Sequence, residues 1–183
     1  MVLLFLADGF EEIEALTPVD VIRRAGIEIK TVAVKASGTT VTGAHGITVC
    51  ADLAMAETEQ ICPEPEMVIL PGGMPGAKNL DENESVDRYV REAYERGAFV
   101  AAICAAPMIP GKRGLLKGKR ATCFPGFEKY LRDADYTGGR VEIDGKMITA
   151  CGMGAATEFA LAIVKVMKGE DAAEEMRLAI LAK

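Results

Sequence analysis

The chain has 183 residues, 50% of them hydrophobic and 26% charged, and its formal net charge at pH 7 is −6. This length can bury a core without disulfides, so we expect one domain over residues 1–183. The acidic balance, with no basic cluster along the sequence, argues against a surface that binds nucleic acid or an anionic membrane.

The first elements predict a strand, a helix and a second strand. The apolar run 2–6 predicts a buried strand, and the acidic residues directly after it do not fit a signal peptide or a membrane span, which favours a cytoplasmic protein. Apolar residues recur at helical spacing over 13–25, with Pro18 as an interruption and Gly26 as the end. The run 27–34 alternates as a strand, so the chain opens with a βαβ unit.

The middle of the chain predicts a side hairpin and a third strand of the main sheet. Residues 39–42 and 47–50 flank the segment 43–46 and predict a small hairpin beside that sheet. The run 67–70 predicts a buried strand, and it ends in the glycine-rich turn 71–76.

The later elements continue the alternation of strands and helices. In chain order they are predicted as a helix over 85–96, a strand over 99–103, a short strand over 120–122, a hairpin of 141–143 with 147–150, and helices over 157–167 and 171–181. This order predicts a parallel sheet covered on both faces. Ligands bind such sheets beyond the carboxyl ends of the strands, where residues 8–14, residues 71–76 and Cys104 are expected.

The stretch 98–108 contains the candidate nucleophile. Its apolar run stops at Cys104, and Pro107 suits the first turn of a helix, so we predict a strand, a sharp turn and a helix with the sulfur at the corner. Free backbone N–H groups and the positive end of a helix favour a thiolate there. The alternative is a buried cysteine that acts as a small hydrophobic residue.

Glu14 is the candidate proton donor because its neighbours at 13, 15 and 16 are apolar. A carboxyl desolvated among them has a raised pKa and can donate its proton to a neighbouring thiolate. The alternative is a solvated glutamate on the exposed face of a helix. The N–H groups of Gly72, Gly73 and Ala105 are candidate donors to an oxyanion. The alternative for the paired glycines is a plain tight turn.

The other cysteines and the single histidine are assigned no catalytic role. Cys50, Cys62, Cys123 and Cys151 have no activating neighbours and are interpreted as structural free thiols of a reducing compartment. The chain has no Cys-x-x-Cys pair, so we expect no metal site. A catalytic Cys-His pair would need His45, which lies in the predicted hairpin and is interpreted as a surface or subunit-contact residue.

Five segments in order carry a family resemblance: ADGFEEIEALTPVDVIRRAG (7–26), VILPGG (68–73), AAICAAP (101–107), LLKGKRATCFPGFE (115–128) and TEFALAIV (157–164). Together they resemble the ThiJ/PfpI superfamily, in the branch of the Parkinsonism-associated deglycase, DJ-one, and its microbial relatives. The resemblance covers essentially the whole chain. It implies a flavodoxin-like three-layer α/β sandwich, as in class I glutamine amidotransferases, with a mostly parallel sheet and usually a homodimer.

The resemblance also implies roles for individual residues. Cys104 matches the nucleophile at the strand-to-helix elbow, and Glu14 matches the protonated acid that hydrogen-bonds its sulfur. Gly72, Gly73 and Ala105 match the backbone donors beside the sulfur.

Three departures from the family pattern matter. Ala105 stands where the protease-like branch has histidine, so peptidase activity ranks last. Phe124 stands where relatives often have a histidine near the thiol, so we expect a mechanism without an imidazole. Pro110 falls where the elbow helix should continue, and it predicts a short or kinked helix.

The implied function is a cofactor-free enzyme acting on α-oxoaldehydes such as methylglyoxal, or on their adducts with proteins and nucleotides, as glyoxalase III and deglycases do. Cys104 would add to the aldehyde, Gly73 and Ala105 would hold the oxyanion, and Glu14 would move a proton between adjacent carbons. An oxidative-stress sensor or redox-regulated chaperone is the second hypothesis, in which Cys104 is oxidised to a sulfinate.

Overall fold

A seven-stranded sheet forms the middle layer of the computed structural model, which describes residues 1–182. Its spatial order is β10 (Val141–Asp144), β11 (Met147–Ala150), β7 (Phe99–Ile103), β6 (Met67–Leu70), β1 (Val2–Leu6), β2 (Ile29–Ala33) and β5 (Leu53–Ala54). Neighbouring strands are parallel except for the hairpin of β10 with β11. Lys183, the last residue of the expected domain, lies outside the described residues.

Two strand pairs lie beside this sheet. They are the antiparallel hairpin of β3 (Thr40–Thr42) with β4 (Thr48–Cys50) and the parallel pair of β8 (Arg120–Ala121) with β9 (Asp135–Tyr136). The α-helices are α1 (Glu12–Arg24), α2 (Met55–Ile61), α3 (Gly76–Asp81), α4 (Glu84–Glu95), α5 (Met108–Lys112), α6 (Ala156–Lys168) and α7 (Glu170–Ala179). None of the helices within residues 1–182 combines the length and hydropathy needed to cross a membrane.

The central strands are apolar throughout because both faces of the sheet are covered. In β1, Phe5 packs on one face in a core with Tyr89 of α4, and their ring centroids are 5.4 Å apart. Leu4 packs on the other face in a core with Phe159 of α6. Full burial of each such side chain contributes about 1.5–3 kcal/mol. The predicted α/β sandwich with a mostly parallel sheet is therefore confirmed.

Several short elements were not predicted. Strand β5 and helix α2 are too short for a periodic pattern, and α2 is held at its start by Glu57, whose carboxylate accepts the N–H of Ala54 at 2.8 Å. Helix α3 was not predicted because its first residue, Gly76, belongs to the glycine-rich segment 71–76, which has the composition of a turn. The pair of β8 with β9 depends on a contact between segments 15 residues apart, Arg120 and Asp135, which no local pattern shows.

The carboxyl ends of β1, β6 and β7 bring the expected segments together. Glu11 N–H donates to the carbonyl of Gly72 at 2.9 Å, and Gly76 N–H donates to the carbonyl of Gly9 at 3.0 Å. A Cβ on Gly73 would lie 2.6 Å from the Gly9 carbonyl oxygen, which a real side chain cannot do. Glycine is required here because the two loops pack backbone against backbone.

Candidate active site

Cys104 occupies a strained corner at the end of β7. Its φ of 65° lies in the left-handed region, which costs a residue other than glycine about 1–2 kcal/mol. The corner is held from both sides, since Cys104 N–H donates to the Ala150 carbonyl at 2.9 Å and its own carbonyl accepts the N–H of Phe124 at 2.8 Å. The predicted strand and sharp turn with a sulfur at the corner are thus present.

The helix after the corner is short, as predicted, but it does not begin at the sulfur. Helix α5 begins at Met108, contains Pro110 and is five residues long, so the prediction of a short helix is confirmed. It starts four residues beyond Cys104 and is too short for its dipole to act strongly on the sulfur. The polar groups that do act on the sulfur are the N–H groups of Ala105 and Gly73, which lower the pKa of the thiol.

Glu14 reaches the sulfur from α1. Its side chain is fully buried, and Oε2 accepts the N–H of Gly72 at 3.0 Å. Among residues 1–182, Oε1 has no hydrogen-bond partner. A Cβ on Gly152 would lie 3.9 Å from both this oxygen and Cys104 Sγ, so the two atoms border the same space. Burial raises the pKa of Glu14 to about 7, against the opposing effect of the neighbouring thiol and the Gly72 N–H.

The thiol itself is not simply acidified, contrary to the expectation for the corner. Burial and the charge of Glu14 raise the pKa of Cys104 to about 12, while the N–H groups of Ala105 and Gly73 oppose this rise. The sequence predicts a protonated Glu14 beside a thiolate, whereas an ionised Glu14 disfavours loss of the proton from the sulfur. Two groups this close titrate as a pair, with apparent pKa values of about 7 and about 12, and between these values they hold one proton.

Gly72 was expected to donate its N–H to an oxyanion, but in the structure it has another role. Its N–H is engaged by the Glu14 carboxyl and is not free for an oxyanion. A Cβ at this position would overlap the Glu14 carboxyl and would lie 2.7 Å from Cys104 Cβ. Gly72 therefore positions the acid beside the thiol, and Gly73 and Ala105 are the remaining candidate oxyanion donors.

A cleft of about 370 Å³ opens above the thiol. The residues that line it are Glu11, Glu14, His45, Gly73, Met74, Cys104, Ala105, Phe124, Phe127 and Met153. Its walls are largely apolar, and Met74, Phe124 and Met153 are each about half exposed at its mouth. The apolar walls were not predicted, because they come from three loops that are distant in the sequence. The cleft can admit a small organic molecule and limit the water around its charged groups.

His45 is a side chain of the cleft that sequence reasoning did not place there. Its side chain is 68% exposed, as a surface residue should be, and it lines the cleft. The structure thus places an imidazole beside the thiol's cleft, whereas the sequence predicts a mechanism that does not use one. His45 Nδ1 lies 2.9 Å from Oε2 of Glu12 and 3.7 Å from Oε2 of Glu11. No local signal could have found it, because the hairpin reaches the cleft only through the contact with α1.

Glu12 fixes this hairpin loop from a buried position. Its Oε1 accepts the N–H of His45 at 2.8 Å and that of Ile47 at 3.4 Å. Burial acts to raise the pKa of Glu12, but the His45 ring and these N–H groups lower it to about 2. In return, the hydrogen bond to Glu12 and the charges of Glu11 and Glu12 raise the pKa of His45.

Glu11, Glu12 and His45 are also the described residues that could hold a metal ion. One ligand atom from each lies within 4.8 Å of the others. The imidazole-carboxylate hydrogen bond already accounts for their proximity, so the arrangement by itself does not point to a metal.

The four remaining cysteines are free thiols in different settings. Cys62 and Cys123 are buried, in line with a structural role, whereas Cys50 is exposed and Cys151 is half-buried. Cys151 and Cys123 line a neighbouring cleft of about 410 Å³.

Comparison with known proteins gives a family match over most of the chain. Residues 1–166 match the DJ-1/PfpI family. The Parkinson disease protein 7 homolog of Danio rerio is 36% identical over 184 residues, with 99% of this chain and 96% of that protein covered. Protein DJ-1 homolog B of Arabidopsis thaliana is 38% identical over 96% of this chain, which spans 40% of that protein.

An archaeal relative and a solved structure extend the comparison. A deglycase of Pyrococcus abyssi is 30% identical over 169 residues, with 91% of this chain and 99% of that protein covered. The structure of oxidized Toxoplasma gondii DJ-1 superposes with a TM-score of 0.93 at 31% identity, covering 99% of this chain and 97% of that one. On this evidence, the chain belongs to the DJ-1/PfpI family.

Proposed function

We propose that this protein is a cysteine-dependent enzyme that converts small α-oxoaldehydes such as methylglyoxal to 2-hydroxy acids, or removes their early adducts. The observation that carries the proposal is the buried Oε1 of Glu14, which has no partner among residues 1–182 and borders the same space as Cys104 Sγ. A carboxyl in this place can give its proton to, and take a proton from, a molecule bonded to the sulfur.

The first step is addition of the Cys104 thiolate to the aldehyde carbon. A carbon-sulfur bond forms, and the electron pair of the carbonyl bond moves to the oxygen. The N–H groups of Gly73 and Ala105, which act on the sulfur, stabilise the charge on that oxygen. The oxyanion then takes the proton of Glu14, and the product is a hemithioacetal with Glu14 ionised.

The second step moves hydrogen between adjacent carbons. Ionised Glu14 removes the proton from the carbon bonded to sulfur and returns it to the neighbouring carbon, which converts the hemithioacetal to a thioester. Water then cleaves the carbon-sulfur bond and releases the 2-hydroxy acid, which is lactate when methylglyoxal is the substrate. A pKa of about 7 suits Glu14 to both directions of transfer.

The comparisons support a reaction of this kind without naming the substrate. The Pyrococcus abyssi relative is called a deglycase, and it is matched over nearly its full length. An adduct is larger than methylglyoxal, and the cleft of about 370 Å³ with an open mouth has room for one.

The test is turnover of methylglyoxal by the whole protein with lactate as the measured product. Cys104→Ser should abolish turnover, because an alcohol at this position is far less nucleophilic than a thiolate. Cys50→Ser is the matched control, since Cys50 is an exposed free thiol away from the cleft. Lactate formation by Cys104→Ser at the wild-type rate would overturn the proposal.

Oxidation sensing at Cys104 is the second candidate function. It is favoured by the family relative from Toxoplasma gondii, whose structure is described as oxidized. The N–H groups of Gly73 and Ala105 suit the oxygens of a sulfinate as well as an oxyanion. Intact mass after mild peroxide tests it: a rapid gain of two oxygens that is lost in Cys104→Ser supports sensing, and no gain refutes it.

A homodimer remains a prediction of the family resemblance. Ile13 and Leu16 of α1 are 48% and 36% exposed, and Ile47 of the adjoining hairpin loop is 54% exposed. A second copy that covers this apolar area would remove it from water. Sedimentation equilibrium measures the mass directly, and a monomer at micromolar concentration would refute the dimer.

A further inference from the structure

The proposed reaction moves protons on oxygen as well as on carbon. When Glu14 removes the carbon-bound proton, the electrons move toward the second carbonyl of the substrate, and its oxygen needs a proton at that moment. Glu14 cannot supply it, because it is receiving a proton at the same time. A second acid in the cleft is therefore required, or the intermediate must form as an unstable enolate.

His45 is a further proton-carrying side chain that lines this cleft. Glu11, Glu14, His45 and Cys104 are the titratable residues among those that line it. His45 Nδ1 is bonded to Glu12, so Nε2 is the ring nitrogen left for a ligand. Imidazole is the side chain whose two forms are most readily exchanged near neutral pH.

We propose that His45 is a further catalytic residue, which donates a proton to the second carbonyl oxygen of the substrate while Glu14 moves the carbon-bound proton. The inference rests on the proposed function. The step gives an enediol bonded to Cys104, with neutral His45 and protonated Glu14. Glu14 then protonates the second carbon, and His45 takes back the proton from the oxygen on the first carbon, so both groups return to their starting forms.

The orientation of the ring is built into α1. Glu12 is 3% exposed, and its Oε1 is held by the N–H groups of His45 and Ile47, which leaves Oε2 directed at the ring. Gly43 has no side chain because the Glu12 carboxyl fills the place of a Cβ there. A buried carboxylate that fixes the tautomer and stabilises the imidazolium is the arrangement by which other enzymes prepare a histidine for proton transfer.

The charges that face His45 favour its protonated form. Glu11 and Glu12 face it from the start of α1, and Glu14 and Cys104 face the cleft from below. In the part of the chain that the structure describes, no lysine or arginine lies within 4 Å of the Glu11 or Glu12 carboxylate, so His45 is the only cation paired with them. These contacts raise its pKa, which keeps an acid available near neutral pH.

The test is His45→Gln, because glutamine can still donate a hydrogen bond to Glu12 but cannot titrate. We expect kcat for methylglyoxal to fall by about 10²-fold or more, with a smaller change in KM. The alkaline limb of the wild-type pH-rate profile, which reports loss of the His45 proton, should disappear. The rate of Cys104 alkylation and the melting temperature should stay close to wild type. A variant with unchanged kcat and an unchanged alkaline limb overturns the inference.

Glu12→Gln gives a second measurement that does not depend on the loss of His45. It keeps a hydrogen-bond acceptor but removes the charge that stabilises the imidazolium, so the alkaline limb should move to lower pH. A limb that stays in place shows that the titrating group is not His45. Failure of the proposed function is separate: a wild-type protein without turnover refutes both proposals, whereas full activity of His45→Gln beside an inactive Cys104→Ser refutes only this one.

Discussion

Glu14 and Cys104 lie on two sides of Gly72, so close that a methyl group on this glycine would overlap the carboxyl and the thiol side chain alike. The same glycine donates its N–H to Glu14 at 3.0 Å. The distance between acid and sulfur is thus set by a residue with no side chain.

Substitution of Gly72 should damage the site more than the fold. Gly72→Ala forces Glu14 or Cys104 to move, and we expect a loss of about 1–3 kcal/mol in the free energy of unfolding. Turnover should fall much further than stability. Gly154→Ala is the matched control, because a Cβ at Gly154 meets nothing within 4 Å, and it should stay within about 0.5 kcal/mol of wild type. Equal activity of the two variants would contradict the arrangement.

The reactivity of Cys104 should follow the lower of the two apparent pKa values of the pair. If the shared proton lies on Glu14, loss of the first proton produces the thiolate, and alkylation by iodoacetamide rises with an apparent pKa of about 7. If it lies on the sulfur, the rise comes only near 12. Rates measured from pH 5 to pH 10 in a protein with the other four cysteines replaced by serine separate these results.

Replacing Glu14 by glutamine should separate thiol reactivity from turnover. Glu14→Gln removes the negative charge that raises the pKa of Cys104, so alkylation at neutral pH should persist or increase. An amide cannot move a proton between carbons, so turnover should fall by about 10²–10⁴-fold. A joint loss of alkylation and turnover would mean that Glu14 serves only to hold the thiol in place.

Arg113 should hold the short elbow helix in place. Its side chain is 7% exposed, and it binds Asp81 of α3 at 2.7 Å, Asp87 of α4 and the carbonyl of Ile109 at 2.8 Å. Arg113→Ala leaves Asp81 paired with Lys112 and Asp87 paired with Arg91, so the loss is that of the hydrogen bonds made by Arg113, about 1.5–3 kcal/mol in urea unfolding. Arg24→Ala, which breaks an exposed pair with Asp20, should leave the urea midpoint close to that of wild type. Similar losses in both would refute the role of Arg113.

The pair of Glu12 and His45 should make stability depend on pH at both ends. The folded pKa of Glu12 is about 2, below the ordinary value of 4.5, so its contribution is present above pH 4.5 and is lost as the pH falls toward 2. The folded pKa of His45 lies above 6.5, so its contribution is present below pH 6.5 and is lost as the pH rises through the folded value. Unfolding of wild type and Glu12→Gln at pH 3, 6 and 9 measures both slopes, and parallel curves would contradict the pairing.

The sequence by itself determined the elements that depend on neighbouring residues. The strands at 2–6, 67–70 and 99–103 follow from unbroken apolar runs, and the turn at Cys104 follows from the abrupt end of the last run. Pro110 predicts the short helix α5, because proline lacks the donor that a longer helix needs. These patterns act within a few residues, so they can be read along the chain.

Only the tertiary structure decided what the site contains. The hydrogen bond between Glu12 and His45 joins residues 33 positions apart, and it holds at the cleft an imidazole that the sequence assigned to the surface or to a subunit contact. The engagement of the Gly72 N–H by Glu14 spans 58 positions, and it changed the part assigned to that glycine. Electrostatic effects depend on distance and burial in space, which sequence spacing does not measure, and for this reason the ionisation of Cys104 became a property of a pair.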